Sequence, residues 1–169
     1  SGDYNVGVGK NALLALTTGG DNVAIGSGAL DAENTGSRNV VIGKGAMTAA
    51  ANGENDNTVI GNGAGGSINN ASTDFNVLIG SGAGYGGTGA MIGCVAIGLD
   101  AMNSTAGNAQ TGTVAIGYAA LDALTTGAGN TAVGYQAGDL LDVGGSNTLL
   151  GYGAGGNFDD EDWNVAIGR

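Results

Sequence analysis

Short aliphatic triplets that end in glycine recur along the whole chain, with polar, glycine-rich stretches between them. The clearest copy is N-T-A-V-G-Y-Q-A-G from Asn130 to Gly138, and close variants begin at Asn22 and Asn39. Copies of this nine-residue motif begin at Asn5, Asn22, Asn39, Asn57, Asn76, Cys94, Thr113, Asn130, Asn147 and Asn164. The repeat length is 17 to 19 residues, so residues 1–169 form a single repeat domain of nine whole repeats and the opening strand of a tenth.

Each position of the motif has its own residue preference. Position two is Val or Thr, position four is Val, Ile or Leu, position five is always Gly, and position eight is Ala in every whole copy. Length variation falls after the motif, in polar stretches such as residues 67–74 and 103–111. A fixed segment followed by a variable loop is typical of stacked coils, because their loops carry the insertions.

The Val- and Ile-rich start of each motif predicts a short β-strand that ends at glycine. A helix is excluded because each Gly in a helix interior would cost about 1 kcal/mol. The Ala–Leu stretches that follow, such as residues 11–16 and 120–124, fit either one helical turn or a second short strand, and we favour a strand. The fold class is therefore all-β, a parallel β-solenoid, and ten stacked strands give a rod roughly 45 Å long.

Position three is apolar in every copy, although side chains alternate between the two faces of a strand. We expect positions two and four to form the core of the solenoid. Because a strand that is apolar on both faces is covered on both, we expect position three to contact another chain. The predicted oligomer interface is Ala24, Val41, Val59, Leu78, Ala96, Ala115, Ala132, Leu149 and Ala166. The alternative is a modest exposed stripe of small residues.

Asn occupies position one in eight of the ten copies. We expect its side-chain amides to hydrogen bond from coil to coil and to fix the register of the stack. Cys94 occupies the same position, and we interpret it as a small buried thiol. Because it is the only cysteine, the chain cannot form an internal disulfide.

Composition excludes several function classes. The net charge of −11 argues against a nucleic-acid partner, since such binding depends on clustered Lys and Arg. The absence of His excludes His-based triads and His-ligated metals. No run of about 18 apolar residues is present, so we expect no membrane insertion. The loops repeat no pair of carboxylates that a glycosidase would need, and we therefore expect no enzymatic activity.

Two local features are candidates for ligand binding. Asp159, Asp160 and Asp162 lie in the densest acidic run, which is either a solvated loop, the interpretation we favour, or a calcium site. Tyr118, Tyr135 and Tyr152 occupy position six of consecutive coils. Stacked coils would align these three rings about 4.8 Å apart, where they would either stabilise the fold, which we favour, or dock a sugar or protein.

The motifs N-V-A-I-G-x-G-A and N-T-A-V-G-Y-Q-A-G resemble the repeats of YadA-like heads of trimeric autotransporter adhesins. They resemble still more closely the repeats of phage tail fibres and related virion proteins, and the resemblance covers essentially the whole chain. It implies a left-handed β-roll that forms a homotrimer, with position three near the threefold axis. It also implies an extracellular location, on a virion or a cell surface. The adhesin heads differ in having a shorter coil.

The expected function is a non-enzymatic structural or adhesive fibre segment, viral or bacterial, whose variable loops contact a cell-surface glycan or receptor. The expected partner is the chain itself, as a homotrimer or an end-to-end fibre. One alternative is a self-stacking extracellular filament subunit. Another is an ice- or glycan-binding solenoid, suggested by the pairs Thr17–Thr18 and Thr125–Thr126 but weakened by Asn34–Thr35 in a neighbouring coil. A polysaccharide-cleaving spike is the third.

Overall fold

In a computed structural model, the chain is an all-β parallel solenoid of about nine turns. The structure describes residues 2–50, 53–104 and 108–169. These residues form no helix, and so they include no helix with the length and hydrophobicity needed to cross a bilayer.

One strand of three residues from each coil builds a ten-stranded parallel sheet along the solenoid. Its strands, in spatial order, are β1 (Val6–Val8), β2 (Val23–Ile25), β3 (Val40–Ile42), β4 (Thr58–Ile60), β5 (Val77–Ile79), β7 (Val95–Ile97), β9 (Val114–Ile116), β10 (Thr131–Val133), β11 (Thr148–Leu150) and β12 (Val165–Ile167). A second, two-stranded sheet pairs β6 (Met91–Ile92) with β8 (Gln110–Thr111). Each strand predicted at the start of a motif is confirmed, and equal motif positions pair throughout the large sheet, so that Val23 lies beside Val40.

The core contains position three, not positions two and four. Ala24, Val41, Val59, Leu78, Ala96, Ala115, Ala132 and Leu149 are all 0% exposed within the single chain, and Ala166 is partly buried against the same core. Another chain cannot reach those fully buried side chains, so the predicted interface at position three is wrong. The opposite face of the sheet, formed by positions two and four, points outward.

The Ala–Leu stretches after the strands are series of tight turns, and the predicted second strand is wrong there. In residues 11–16, backbone angles alternate into the left-handed region, with φ of 61° at Asn11 and 56° at Leu13. The N–H of Leu13 still donates to the carbonyl of Ala29 in the next coil, at 3.2 Å. The side of each coil formed by these turns, which we term the turn side, therefore keeps hydrogen bonds between coils without strand geometry. Turns of this shape also direct Leu30 and Met47 into the core.

Glycine at position five allows neighbouring coils to approach closely. Gly43 has a φ of 144°, which L-residues other than glycine rarely adopt. A Cβ atom added there would collide with the carbonyl oxygen of Gly61 in the next coil. The invariant Gly is thus a requirement of coil stacking.

Candidate functional site

The candidate functional site is the outward side of the ten-stranded sheet, which we term the outer face. It is formed by positions two and four: Val6, Val8, Val23, Ile25, Val40, Ile42, Thr58, Ile60, Val77, Ile79, Val95, Ile97, Val114, Ile116, Thr131, Val133, Thr148, Leu150, Val165 and Ile167. None of these side chains is buried, and none carries a charge. The strand register places them in two columns that run along the solenoid axis.

The outer face is mostly aliphatic over its whole length, and the exceptions are Thr58, Thr131 and Thr148. Nine steps of about 4.8 Å and a strand width of about 10 Å give an area of roughly 400 Å². An area of this size matches the largest apolar patch of a typical soluble monomer, about 300–600 Å², and such patches are often functional. The regular β-branched columns therefore form a surface suited to packing against another apolar surface.

The sheet is held in register by a ladder of asparagine side chains at position one. Asn39 Nδ2 donates to Asn22 Oδ1 at 3.1 Å and to the carbonyl of Glu54 at 2.7 Å, while its backbone N–H donates to Asn22 Oδ1 at 3.0 Å. The same bonds join Asn57 to Asn39 and Asn76 to Asn57. The predicted ladder is confirmed, and its role is structural because these amides are buried and fully engaged.

The ladder is interrupted where Cys94 and Thr113 replace asparagine. The N–H of Cys94 still donates to Asn76 Oδ1 at 2.8 Å, and Cys94 is buried as predicted. Burial raises the pKa of the Cys94 thiol, which keeps it protonated and unreactive. Beside this interruption, Gln110 Oε1 and Thr113 Oγ1 are buried without a hydrogen-bond partner.

A buried carboxylate that sequence reasoning missed joins two coils. Glu33 is 0% exposed, and its Oε1 accepts hydrogen bonds from the N–H groups of Thr35, Gly36 and Gly53, at 2.7, 2.6 and 3.2 Å. Burial opposes its ionisation, but hydrogen bonds from the Glu54 side chain and from backbone N–H groups outweigh burial, and the pKa of Glu33 is lowered. Glu33 occurs in one coil only, so the repeat pattern carries no signal for it.

The three tyrosines stack as predicted. Ring centroids lie 4.9 Å apart between Tyr118 and Tyr135 and 5.0 Å apart between Tyr135 and Tyr152, with planes within 13°. The Arg169 guanidinium lies 5.5 Å from the Tyr152 centroid. Both faces of Tyr135 are therefore covered by its neighbours, which leaves only ring edges and hydroxyls for a ligand.

The acidic run does not gather into a metal site. The Asp162 carboxylate accepts a hydrogen bond from the Gly145 N–H at 2.6 Å, and the N–H of Asp159 donates to Glu161 at 2.6 Å. Over residues 2–50, 53–104 and 108–169, no group of three or more His, Cys, Asp or Glu side chains could hold a metal ion. The possible calcium site at Asp159, Asp160 and Asp162 is thus not formed by these residues.

The threonine pairs serve contacts between coils. Thr17 Oγ1 donates to the carbonyl of Asn34 at 2.7 Å, and Thr125 Oγ1 donates to Asp142. The hydroxyls of Thr17 and Thr125 are therefore engaged in bonds between coils, which weakens the support for an ice-binding array at these positions.

The chain was compared with family models, curated proteins and solved structures. It matches no family model, no curated protein and no solved structure.

Proposed function

We propose that the chain is a non-enzymatic structural segment of an extracellular fibre, and that it assembles with copies of itself through the outer face. The observation that carries this proposal is the partial or full exposure of two mostly aliphatic columns of side chains along the entire sheet. A homotrimer around an axis parallel to the solenoid would bring three such faces together. The interface proposed here lies on the opposite side of each strand from the one predicted from sequence.

The solenoid itself supports a fibre role. Each coil hydrogen-bonds to the coils before and after it through strands, turns and asparagine side chains. Such a stack extends in one direction and tolerates loops of varied length on its surface. We propose that these loops contact a glycan or receptor on a cell surface.

Multi-angle light scattering of the purified chain tests the assembly. We expect a discrete species of three times the 16.1 kDa chain mass. The double variant Ile60→Lys/Ile97→Lys should shift the mass to that of a monomer, because each buried Lys charge would be desolvated. The matched control is Leu140→Lys, an exposed leucine on the turn side, which should keep the wild-type mass. A wild-type chain that stays monomeric at high concentration contradicts the proposal.

Electron microscopy of the same sample separates this proposal from a filament that grows end to end. Discrete rods roughly 45 Å long are expected from ten stacked strands. Long filaments of the isolated chain would instead favour the self-stacking subunit.

A further inference from the structure

The stacked tyrosines have a chemical capacity that their structural role does not use. Tyr118, Tyr135 and Tyr152 occupy position six of three consecutive coils, and the ring centroids of neighbours are 4.9 Å and 5.0 Å apart. The planes of each pair lie within 13° of parallel. Two phenol rings that each lose one electron and one proton can join through a carbon–carbon bond. Rings that the fold already holds in contact are therefore candidates for a covalent link between coils.

The backbone fixes the contact between these rings. The N–H of Gln136, which follows Tyr135, donates to the carbonyl of Tyr118 at 2.8 Å. In the same way, the N–H of Gly153, which follows Tyr152, donates to the carbonyl of Tyr135 at 2.9 Å. Hydrogen bonds between coils thus keep the three tyrosines in line. Because two reacting groups held together react as in a unimolecular step, a pair of oxidised rings does not have to meet by diffusion.

An oxidant in solution can reach the rings. Tyr118, Tyr135 and Tyr152 are 42%, 44% and 55% exposed. Neighbouring rings cover the stacking faces, so the exposed parts are the ring edges and the hydroxyl groups. Oxidation removes the hydroxyl hydrogen, and the bond forms at the carbons beside it, Cε1 and Cε2. The last torsion angle of a tyrosine side chain is broad, and half-exposed rings can therefore turn until these edges meet.

We propose that the tyrosine stack is a site of oxidative cross-linking, at which Tyr135 forms a dityrosine bond with Tyr118 or Tyr152 of the same chain. The oxidant is hydrogen peroxide, used by a haem peroxidase. Each of the two rings gives up one electron and one proton, and the two phenoxyl radicals join Cε to Cε. The proton on each joined carbon then moves to the oxygen and restores the phenol. Hydrogen peroxide takes the two electrons and two protons and leaves as two water molecules.

The new bond joins consecutive coils covalently. Tyr118 and Tyr135 are 17 residues apart in sequence, and so are Tyr135 and Tyr152. A cross-link that closes a loop of this length restricts the unfolded chain, as a disulfide does. We expect cross-linking to raise Tm by several degrees, measured by circular dichroism. Because both rings belong to one chain, this inference does not depend on the self-assembly proposed above.

The other two tyrosines lack the stacked arrangement. Tyr4 is 87% exposed and lies before β1, about 29 Å from Tyr118 along the solenoid axis. Tyr85 is 43% exposed and occupies position ten, on the turn side. If exposure alone decided the reaction, Tyr4 would be the most reactive of the tyrosines. If stacking decides it, the products join only the three tyrosines of position six.

Mass spectrometry of the wild-type chain after treatment with peroxidase and hydrogen peroxide tests the cross-link. Digestion before aspartate puts each stacked tyrosine in its own peptide, because Asp122 and Asp139 lie between them in the sequence. We expect these peptides to be joined in pairs with the loss of two hydrogen atoms, in a chain that still runs as a monomer on a denaturing gel. A peroxide dose that oxidises Tyr4 and yields no joined peptides would overturn the proposal.

Replacement of the central ring identifies the pairs that react. Tyr135→Phe keeps a ring in the stack but has no hydroxyl hydrogen to lose, and it leaves Tyr118 and Tyr152 two coils apart, about 10 Å. We expect the dityrosine yield to fall about tenfold or more, because the remaining phenols are no longer in contact. The matched controls Tyr4→Phe and Tyr85→Phe should keep the wild-type yield. Equal yields from Tyr135→Phe and wild type overturn the proposal.

Replacement of an outer ring should have a smaller effect. Tyr118→Phe should leave the pair of Tyr135 and Tyr152, and Tyr152→Phe should leave the pair of Tyr118 and Tyr135. Each variant should therefore still give one kind of joined peptide. Loss of all joined peptides in both variants would contradict a reaction between neighbouring rings.

A mixture of isotope-labelled and unlabelled chains distinguishes a bond within one chain from a bond between copies. After oxidation, each joined peptide should be either wholly labelled or wholly unlabelled. Joined peptides with one labelled and one unlabelled half would place the bond between copies and overturn the proposal. Neither result bears on the proposed fibre function, which light scattering tests separately.

Discussion

The side chain of Leu78 occupies the space beside Gly84, and a Cβ atom added to Gly84 would lie 2.6 Å from Leu78 Cδ2. Leu78 is position three of its motif and Gly84 is position nine, across the coil on the turn side. The same arrangement recurs with Leu149 and Gly155, at 2.7 Å. Other coils reverse it and pair small residues at position three with Leu or Met at position nine: Ala24 with Leu30, Ala96 with Met102, and Ala115 with Leu121. In these five coils the core is thus filled by two positions whose sizes compensate. Where both positions are small, as at Ala132 and Gly138, Leu121 and Leu149 of the adjacent coils fill the space beside the glycine.

Exchange of the two side chains tests this compensation. Leu78→Ala should lower the free energy of unfolding by about 2–5 kcal/mol, because it leaves a cavity. Gly84→Leu alone should lower it by about 1–3 kcal/mol through overpacking, with the added strain of φ 53°. The double variant should be more stable than either single one, as measured by urea unfolding. If the double variant loses the sum of the free energies of unfolding lost by the two single variants, the two positions do not compensate.

Restoring the asparagine ladder should stabilise the solenoid. Thr113→Asn would supply the amide that Asn130 has in the next coil, and each new hydrogen bond contributes about 1 kcal/mol. We expect a rise of several degrees in Tm, measured by circular dichroism. Thr113→Val is the control: it removes the buried, unpartnered hydroxyl without extending the ladder and should raise Tm less. A fall in Tm for Thr113→Asn would show that the interruption is required.

The buried Glu33 carboxylate should make stability depend on pH. Its folded-state pKa lies below the ordinary 4.5, so its contribution is present above about pH 4.5 and is lost as the pH falls through the folded pKa. Glu33→Gln should lower the free energy of unfolding at pH 7 by about 1–3 kcal/mol, because a charged acceptor of backbone hydrogen bonds is lost.

The difference between wild type and Glu33→Gln should shrink at acid pH, as followed by urea unfolding from pH 7 to pH 3. Asp160→Asn, at an exposed acid, serves as the control and should match wild type throughout. A difference that stays constant with pH would mean that the Glu33 charge contributes nothing.

The tyrosine stack should stabilise the last coils without binding sugars. Tyr135 has two stacked neighbours and Tyr118 has one, and each such contact contributes about 0.5–1.5 kcal/mol. Tyr135→Ala should therefore destabilise more than Tyr118→Ala in thermal unfolding. Binding to a glycan array should be unchanged when all three tyrosines are replaced by Ser, and loss of a glycan signal would contradict the structural role.

The repeat spacing predicts much of the fold because each motif position meets one local structural requirement. Gly43 must be glycine for the coils to approach, and Asn39 must bond to the coils on either side. Alternation along a strand shows that two faces exist, but it does not show which is inside when both are apolar. Residue size carries that information: Ala24 leaves room inside for Leu30, whereas the larger Ile25 points outward.

The backbone conformation of the turn side could not be predicted from the preferences of the individual residues. Leu30 and Met47 have φ of 50° and 47°, which neither residue favours in isolation. The stack imposes this conformation because turns of this shape keep their N–H groups bonded to the next coil, as Leu30 does to Ala46 at 3.0 Å.

Every strand of the large sheet runs across the long axis of the rod, so the hydrogen bonds between coils point along that axis. Tension applied to the two ends of a single chain would therefore load these bonds directly and peel coils away one after another. A fibre made of such chains would owe its tensile strength to neighbouring chains that share the pull.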